Sequence, residues 1–294
     1  MNKPLFQGVC TALVTPFIDG AVNYPMMEQL LRRQIDAGIR AVVISGTTGE
    51  APTLSDNEKL ELFRRAKTFV GSDCLVLAGT GCNSTARTAE LSLAAQEEGV
   101  DGLLIVSPYY NKATPEGLFA HYLTVAHTVR IPVILYNVPS RTGVDIPVSV
   151  YRRLAAVPNI SGVKEAASDI TKITATCGNC RDFSVWTGND AHIVPAISLG
   201  AQGCISVLSN LLPAETRTMV SAALDADLDT AAALQQQLQP LVDLLFCEVN
   251  PIPVKAAMRY LGYDCGSCRL PLTELTPENK KKLAAVLDSL NLHR

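Results

Sequence analysis

The residue in this sequence with the most chemistry to offer is a lysine that closes an apolar run. Lys164 ends the stretch Ser161–Lys164, after Ile160 and Val163, so in a strand its amine would stand at the strand's end in partly desolvated surroundings. Desolvation disfavours the ammonium and favours the free amine that attacks a carbonyl to form a Schiff base. An ion pair with Glu165 or Asp169 is the structural alternative for the same side chain. Tyr136 closes a second run, Val133–Tyr136. A phenol beside an iminium can shuttle protons while the imine forms and breaks, whereas the plainer role for a strand-end tyrosine is to pack its ring and wet its hydroxyl. Thr47 and Thr48 stand between Gly46 and Gly49, where backbone amides and hydroxyls can close on a small carboxylate. No Gly-Lys-Ser/Thr follows, so this is not a nucleotide phosphate loop. Arg141, in the turn Ser140-Arg-Thr-Gly143, offers a planar fork for a carboxylate, or is simply solvated.

These residues need a frame that brings separate chain segments to one place. Short β-rich runs alternate with amphipathic stretches along most of the chain. The runs are Gly8–Thr15, Ala41–Ile44, Cys74–Ala78, Gly102–Val106, Val133–Tyr136, Ser161–Lys164, Ser184–Thr187 and Gly203–Val207. All are too short for helices and suit strands buried on both faces. Helical patterns fall near Met26–Ala37, Asp56–Val70, Thr85–Glu98, Pro115–Thr128, Pro147–Ala156, Asp169–Thr176 and Ala191–Leu199. Ser55 and Glu58 form a capping box, Pro115 and Pro147 suit first-turn positions, and Gly38, Gly99 and Gly200 stand where helices should stop. Eight such units predict an α/β fold, a (β/α)8 TIM barrel with appended C-terminal helices. We expect a catalytic barrel over 1–225 and a helical extension packed on it over 226–294, punctuated by Pro251, Pro253 and Pro271. Active sites of such barrels lie at the C-terminal ends of the strands. That is where Gly46-Thr-Thr-Gly-Glu50, Pro108-Tyr-Tyr-Asn111, Tyr136–Arg141, Lys164-Glu165 and Thr187-Gly188-Asn189-Asp190 all fall.

Composition narrows the remaining classes. The 294 residues are 48% hydrophobic and 18% charged with a formal net charge of −3, which argues against disorder and against a nucleic-acid partner. No apolar run approaches a membrane span. The start, Met1-Asn-Lys-Pro-Leu5, lacks the pattern of a secretory signal, so the expectation is a cytoplasmic enzyme. Nine cysteines include two C-x-x-C pairs, Cys177/Cys180 and Cys265/Cys268, too far apart for a zinc knuckle. The four histidines (His121, His127, His192, His293) form no metal-binding pattern, which disfavours a metal-dependent barrel hydrolase using those cysteines.

Taken together, Gly46–Glu50, Pro108–Asn111, Tyr136-Asn-Val-Pro-Ser-Arg-Thr-Gly143, Gly162-Val-Lys-Glu-Ala166 and Asn250-Pro-Ile-Pro-Val-Lys255 resemble the dihydrodipicolinate synthase/N-acetylneuraminate lyase superfamily of class I aldolases. The likeness runs over essentially the whole chain. It implies a lyase that needs no metal or cofactor, usually a homotetramer, with pyruvate held as a Schiff base on Lys164. Tyr136 would be the proton donor and acceptor, with Thr47 and a neighbouring subunit's Tyr110 completing a relay. Thr48, Gly188 and the backbone of Ile205 would hold pyruvate and its surroundings. Arg141 would grip the carboxylate of the second substrate. The Thr-Thr pair and Arg141 favour the branch that condenses pyruvate with L-aspartate 4-semialdehyde on the way to diaminopimelate and lysine. Another pyruvate-dependent aldolase, acting on a 2-keto-3-deoxy sugar acid or on sialic acid, is the rival. Members inhibited by lysine bind it near the loop after the second strand. Here Asn83 and Tyr109 fit that pattern, whereas Ala51, Pro52, Asp56, Lys59 and Arg87 depart from it, implying weak or absent inhibition.

Overall fold

The computed structural model describes residues 4–292; Met1–Lys3, which open the chain's start, and His293 with Arg294 lie outside the described residues. Eight parallel strands close into a barrel: β1 Gly8–Ala12, β2 Ala41–Ile44, β3 Leu75–Gly79, β4 Gly102–Val106, β5 Val133–Asn137, β6 Ile160–Glu165, β7 Ser184–Thr187 and β8 Gly203–Ser206. Each strand pairs with its neighbours in sequence, and β1 closes the ring on β8. Closure leaves no free edge, and both faces of every strand are covered.

Helices α1 Tyr24–Asp36, α2 Asp56–Val70, α3 Thr85–Glu97, α4 Pro115–Thr128, α5 Val148–Leu154, α6 Thr171–Asn179, α7 Ile193–Ser198 and α8 Pro213–Leu224 follow the strands in turn. Local signals account for many of their limits. The capping box forms, with Ser55 Oγ accepting from Glu58 N at 3.2 Å and Glu58 Oε2 accepting from Ser55 N at 2.8 Å. Pro115 takes the first turn of α4 below an N-cap threonine, Thr114. Pro147 is instead the N-cap of α5. The expected strand Gly8–Thr15 stops at Ala12, and the expected helix Ala191–Leu199 divides into a 3-10 turn, Asp190–His192, and α7. A small hairpin, Phe17–Ile18 with Ala21–Val22, turns through Asp19-Gly20, both in the left-handed region.

Side chains segregate into two apolar groups. Strand residues that point outward, such as Val42, Val76, Leu103, Leu135 and Val163, meet the helices. Those that point inward, among them Cys10, Val43, Leu77, Ile134, Tyr136, Trp186 and Ile205, fill the barrel. Trp186 is fully buried, stacks on Phe6 with centroids 4.7 Å apart, and donates Nε1–H to Phe6 O at 3.2 Å. The lumen is therefore packed rather than hollow.

Of three further helices, α9 Leu228–Leu245, α10 Ile252–Tyr260 and α11 Pro277–Ser289, α9 packs on α7, α8 and the turn after β7, α10 meets the turn after β8, and the three pack on one another. The segment after α10 returns to α2, where Arg269 Nη1 and Nη2 pair with Glu58 at 3.0 and 2.5 Å and the guanidinium lies 4.3 Å from the Phe17 ring centroid. The hydrogen bonds from Arg269 hold the Glu58 carboxyl down to about 2. A depressed folded value adds stability above the ordinary carboxylate value, and that stability is lost as pH falls through about 2. Glu58→Gln is therefore expected to lower stability by about 1 kcal/mol at neutral pH. Thermal melts at descending pH should show the difference from the parent closing below the ordinary carboxylate range; a constant gap would rule out the pair as its source.

Candidate active site

The strand register does the first part of the assembly. Tyr136 of β5 is paired directly with Lys164 of β6, and Lys164 in turn with Trp186 of β7. A one-residue shift decides which way Lys164 points. Val133 pairs with Ile160 but Ile134 with Gly162, so Ser161 is an extra residue in β6. Such a bulge exchanges the two faces of a strand, and here it turns Lys164 into the lumen and Glu165 out towards the helices. Gly162 permits it: a Cβ there would lie 2.0 Å from Ser184 O.

Lys164 is 5% exposed and Tyr136 6%, and the lysine Nζ lies 4.4 Å from the centre of the tyrosine ring. Gly188, just beyond β7, makes room for the amine's stem, since a Cβ there would lie 2.7 Å from Lys164 Cε. The ion pairs considered for Lys164 from sequence are not formed. Glu165 accepts from Asn137 Nδ2 at 2.7 Å, Tyr151 OH at 2.9 Å and Ala167 N at 2.9 Å, with Lys172 at 3.9 Å. Asp169 accepts from Thr171 N and Oγ1 at 2.9 and 2.7 Å. Burial pushes the Glu165 carboxyl above the ordinary carboxylate value. Asn137 and Glu165, each next in sequence to an inward-facing reactive residue, thus tie the ends of β5 and β6 together behind Tyr136 and Lys164.

Above these strand ends opens a cavity of about 400 Å³ lined by Thr47, Thr48, Tyr136, Arg141, Lys164 and Gly188, with further walls from Asn189, Asn250 and α9. Thr48 is 2% exposed, and its Oγ1 accepts from Asn250 Nδ2 at 3.0 Å, which leaves the threonine proton free to be given to a ligand. Asn250 Oδ1 is buried without a partner among the described residues. Arg141 is exposed in the one-turn helix Pro139–Thr142 at the mouth, with Nη2 3.5 Å from Asn250 O. Ile205 sits in β8 with its side chain packed in the barrel. Beside it, Asp190 Oδ2 accepts from Val207 N and Leu208 N at 2.9 and 2.8 Å, and burial pushes that carboxyl up.

Of the residues singled out from sequence, Ile205 is packed in the barrel without lining the cavity, and Tyr110 stands apart from it. It is 84% exposed, holds a left-handed φ of 75°, and does not line the cavity within its own chain. Sequence reasoning gave no role to Asn250, although it opens the Asn250–Lys255 motif, nor to Asn137. An adjoining cavity of about 270 Å³ shares Thr47, Tyr136 and Arg141 and extends to Lys59, Cys82 and Tyr109.

The cysteine pairs lie elsewhere. All nine cysteines are free thiols. Burial pushes Cys265 and Cys268 up to about 12 and raises Cys177 and Cys180, so none is a ready thiolate at neutral pH. Among the described residues no group of three or more His, Cys, Asp or Glu side chains could hold a metal ion. No helix among them is long and apolar enough to cross a membrane.

A family model described as the Dihydrodipicolinate synthetase family matches residues 5–290. The chain belongs to that family. It is 42% identical over 293 residues to the 4-hydroxy-tetrahydrodipicolinate synthase of Acetivibrio thermocellus, covering 99% of this chain and 100% of that relative. Among solved structures, it is similar to the chloride-inhibited dihydrodipicolinate synthase of Acinetobacter baumannii complexed with pyruvate, with a TM-score of 0.95, 39% identity and coverage of 97% of this chain and 99% of the other. It is equally similar to a dihydrodipicolinate synthase variant described as monomeric, with a TM-score of 0.96, 38% identity and 98% coverage of both chains.

The fit around Gly188 gives a direct test of the geometry. Gly188→Ala is expected to keep the fold, with the chain at Ala166 giving way slightly to a Cβ 2.9 Å from its own, but to displace the Lys164 amine, whose Cε would lie 2.7 Å from the new methyl. Misplacement of a reacting group by about 1 Å costs ~100-fold in rate. Turnover should fall by about that factor while the melting temperature changes little; parent-like turnover would show that the amine does not depend on this space.

Proposed function

We propose that this chain is a lyase that condenses pyruvate with L-aspartate 4-semialdehyde, the reaction of a 4-hydroxy-tetrahydrodipicolinate synthase. The observation that carries the reading is the Lys164 amine, buried inside a barrel lumen and lying over the Tyr136 ring beside the Thr48 hydroxyl. A buried lysine with no ion pair to a carboxylate among the described residues is suited to carbonyl attack rather than to structural pairing.

The steps follow from the groups present. The pyruvate carboxylate accepts from the Thr48 hydroxyl, whose oxygen is already committed to Asn250. The Lys164 amine adds to the ketone carbon, and loss of water, with protons passed through the Tyr136 phenol, leaves an iminium. The cationic nitrogen acidifies the neighbouring methyl group, and removal of one of its protons gives an enamine. Its carbon attacks the aldehyde while Arg141 holds that substrate's carboxylate at the mouth. The amino group of the incoming substrate then adds to the iminium carbon, closing the ring and expelling Lys164 as the free amine. The iminium is the electron sink throughout.

Thr47 lies between the two cavities and completes the proton path in this reading. The last member, Tyr110, comes from a second copy in a homotetramer. An aromatic residue left 84% exposed in a strained backbone conformation supports that role, since an interface can enforce a geometry that solvent would not. We take 1–225 as the catalytic barrel and 226–294 as an extension that walls its mouth. Nine unpaired cysteines suit the reducing cytoplasm.

Borohydride reduction in the presence of pyruvate, followed by peptide mass spectrometry, is expected to find the adduct on Lys164. Lys164→Ala should lose on the order of 10³-fold or more in condensation rate. An adduct without turnover of the semialdehyde would leave a Schiff-base aldolase but reject this second substrate.

Lysine is expected to inhibit weakly or not at all. In the adjoining region Asp56 is flanked by Arg87 at 3.0 Å and Lys59 at 3.7 Å, so one acid faces two cations. A lysine ammonium brought there meets net positive charge, at a cost on the order of a kcal/mol. Inhibition at submillimolar lysine in the condensation assay would overturn this.

A further inference from the structure

The Asn250–Lys255 segment has more to do than supply a wall residue. Lys255 of α10 is buried under the Gly46–Glu50 loop. Its side chain is 1% exposed, and that of Glu50 is 0%. Lys255 Nζ donates to Glu50 Oε1 at 2.8 Å, Ser267 O at 3.0 Å and Thr15 O at 3.1 Å, which uses all three ammonium protons. It also lies 4.4 Å from the centre of the Phe17 ring. The second oxygen of Glu50 accepts from Arg269 N at 2.8 Å.

Glu50 itself is held in an uncommon backbone state, with φ 57° in the left-handed region, directly after Gly49. Its N–H donates back to Thr47 O at 3.1 Å, and Thr15 Oγ1 donates to Gly49 O at 2.7 Å. The loop that carries both threonines is thus a tight turn anchored by one buried carboxylate. The anchoring cation comes from a helix more than 200 residues later, and the turn of chain that starts that helix supplies Asn250 to Thr48. A buried ion pair is weak support for stability alone, since apolar residues of similar size often serve as well. Its position directly behind the loop that lines the cavity points to another role.

We propose that Glu50 and Lys255 are positioning residues for the reaction: their ion pair clamps the Gly46–Glu50 loop between the barrel and α10 and so fixes where the Thr47 and Thr48 hydroxyls stand relative to Lys164. This rests on the pyruvate reading above. Neither side chain touches substrate. The clamp acts on the step in which the pyruvate carboxylate is seated, and leaves the grip of Arg141 on the second substrate alone.

The test uses the full chain carrying Glu50→Gln with Lys255→Met, which removes both charges, keeps both shapes and strands no buried ion. The expected result is a melting temperature close to the parent's, a pyruvate KM raised by about 10-fold or more, an unchanged semialdehyde KM, and slower borohydride trapping of pyruvate on Lys164. Parent-like values for pyruvate in a folded double variant overturn the clamp. So does an equal rise in both KM values together with a lowered melting temperature, which marks a purely structural pair. Should the double variant not fold, Glu50→Gln alone is measured by the same criteria below its melting temperature. If the parent chain traps pyruvate but does not use the semialdehyde, the second-substrate assignment fails, and the clamp is still decided by the trapping rate in parent and variant.

Discussion

An inward-facing amine cannot be placed in a closed parallel barrel by strand pairing alone. It must occur on the correct phase of a two-residue alternation. In β6 that phase is set by Ser161, the residue that β5 does not match, and by Gly162, which has no side chain to strike Ser184 O. Without the shift, Lys164 would face the helices and Glu165 the lumen. The cavity would then hold a buried acid, and the apolar layer outside an unpaired cation. With it, each polar side chain meets a suitable environment. Lys164 enters a cavity lined by hydroxyls, and Glu165 receives three hydrogen bonds and a nearby cation from β5, α5 and the chain around α6.

The two faces of the β5–β6 pair therefore do different work with adjacent residues. Tyr136 and Lys164 are exposed to chemistry only through the cavity, while Asn137 and Glu165 lock the same two backbones from behind. Asn137 also accepts from Ile146 N at 3.0 Å and donates to Asp145 at 2.8 Å, so the loop after β5, which carries Arg141, is tied to the same network. Hydrogen bonds here are concentrated around the two residues that the proposed reaction uses. On the opposite side of the mouth the Gly46–Glu50 loop is fixed by Glu50, Lys255 and Asn250, so the appended helices contribute to the same small volume from outside the barrel.

Most of this frame was legible in the sequence because it is local. Apolar runs of four to six residues, a capping box, Thr114-Pro115 and the glycines after α1, α3 and α7 each act within a turn or two of chain, and each predicts its element closely. The strand-end motifs then follow from the one rule that barrel chemistry gathers at the strands' C-terminal ends. What escaped was long-range or geometric. The bulge at Ser161 changes a face, which periodicity read in one strand cannot see. The Asn250–Thr48 bond and the Lys255–Glu50 pair join positions more than 200 apart in sequence, and nothing in either segment names the other. The hairpin through Asp19-Gly20 was missed because two-residue strands carry no alternation, although the Asp-Gly turn signal was there. The ion-pair alternative for Lys164 named the right acids with the wrong partners, since Glu165 lies across the strand and Asp169 is closed on Thr171.

Charge explains why the cavity suits acids that are brought together rather than bases. Lys164 lies at its floor and Arg141 at its mouth, between them stand hydroxyl and amide donors at Thr48 and Asn250, and Asp243 of α9 adds one exposed carboxylate to the wall, accepting from Gln239 Nε2 at 2.7 Å. Two buried carboxylates in the walls are engaged elsewhere: Glu165 by side chains behind the strands, and Asp190, through Oδ2, by the amides of Val207 and Leu208. Burial pushes both carboxyls above the ordinary carboxylate value. In the proposed reading, a keto acid seats its carboxylate on the Thr48 hydroxyl and places its ketone at the amine. Once it has become an enamine, the remaining cation at the mouth still has a carboxylate to bind. In the proposed reading, the depth at which each positive group is set favours keto acid first and second acid afterwards.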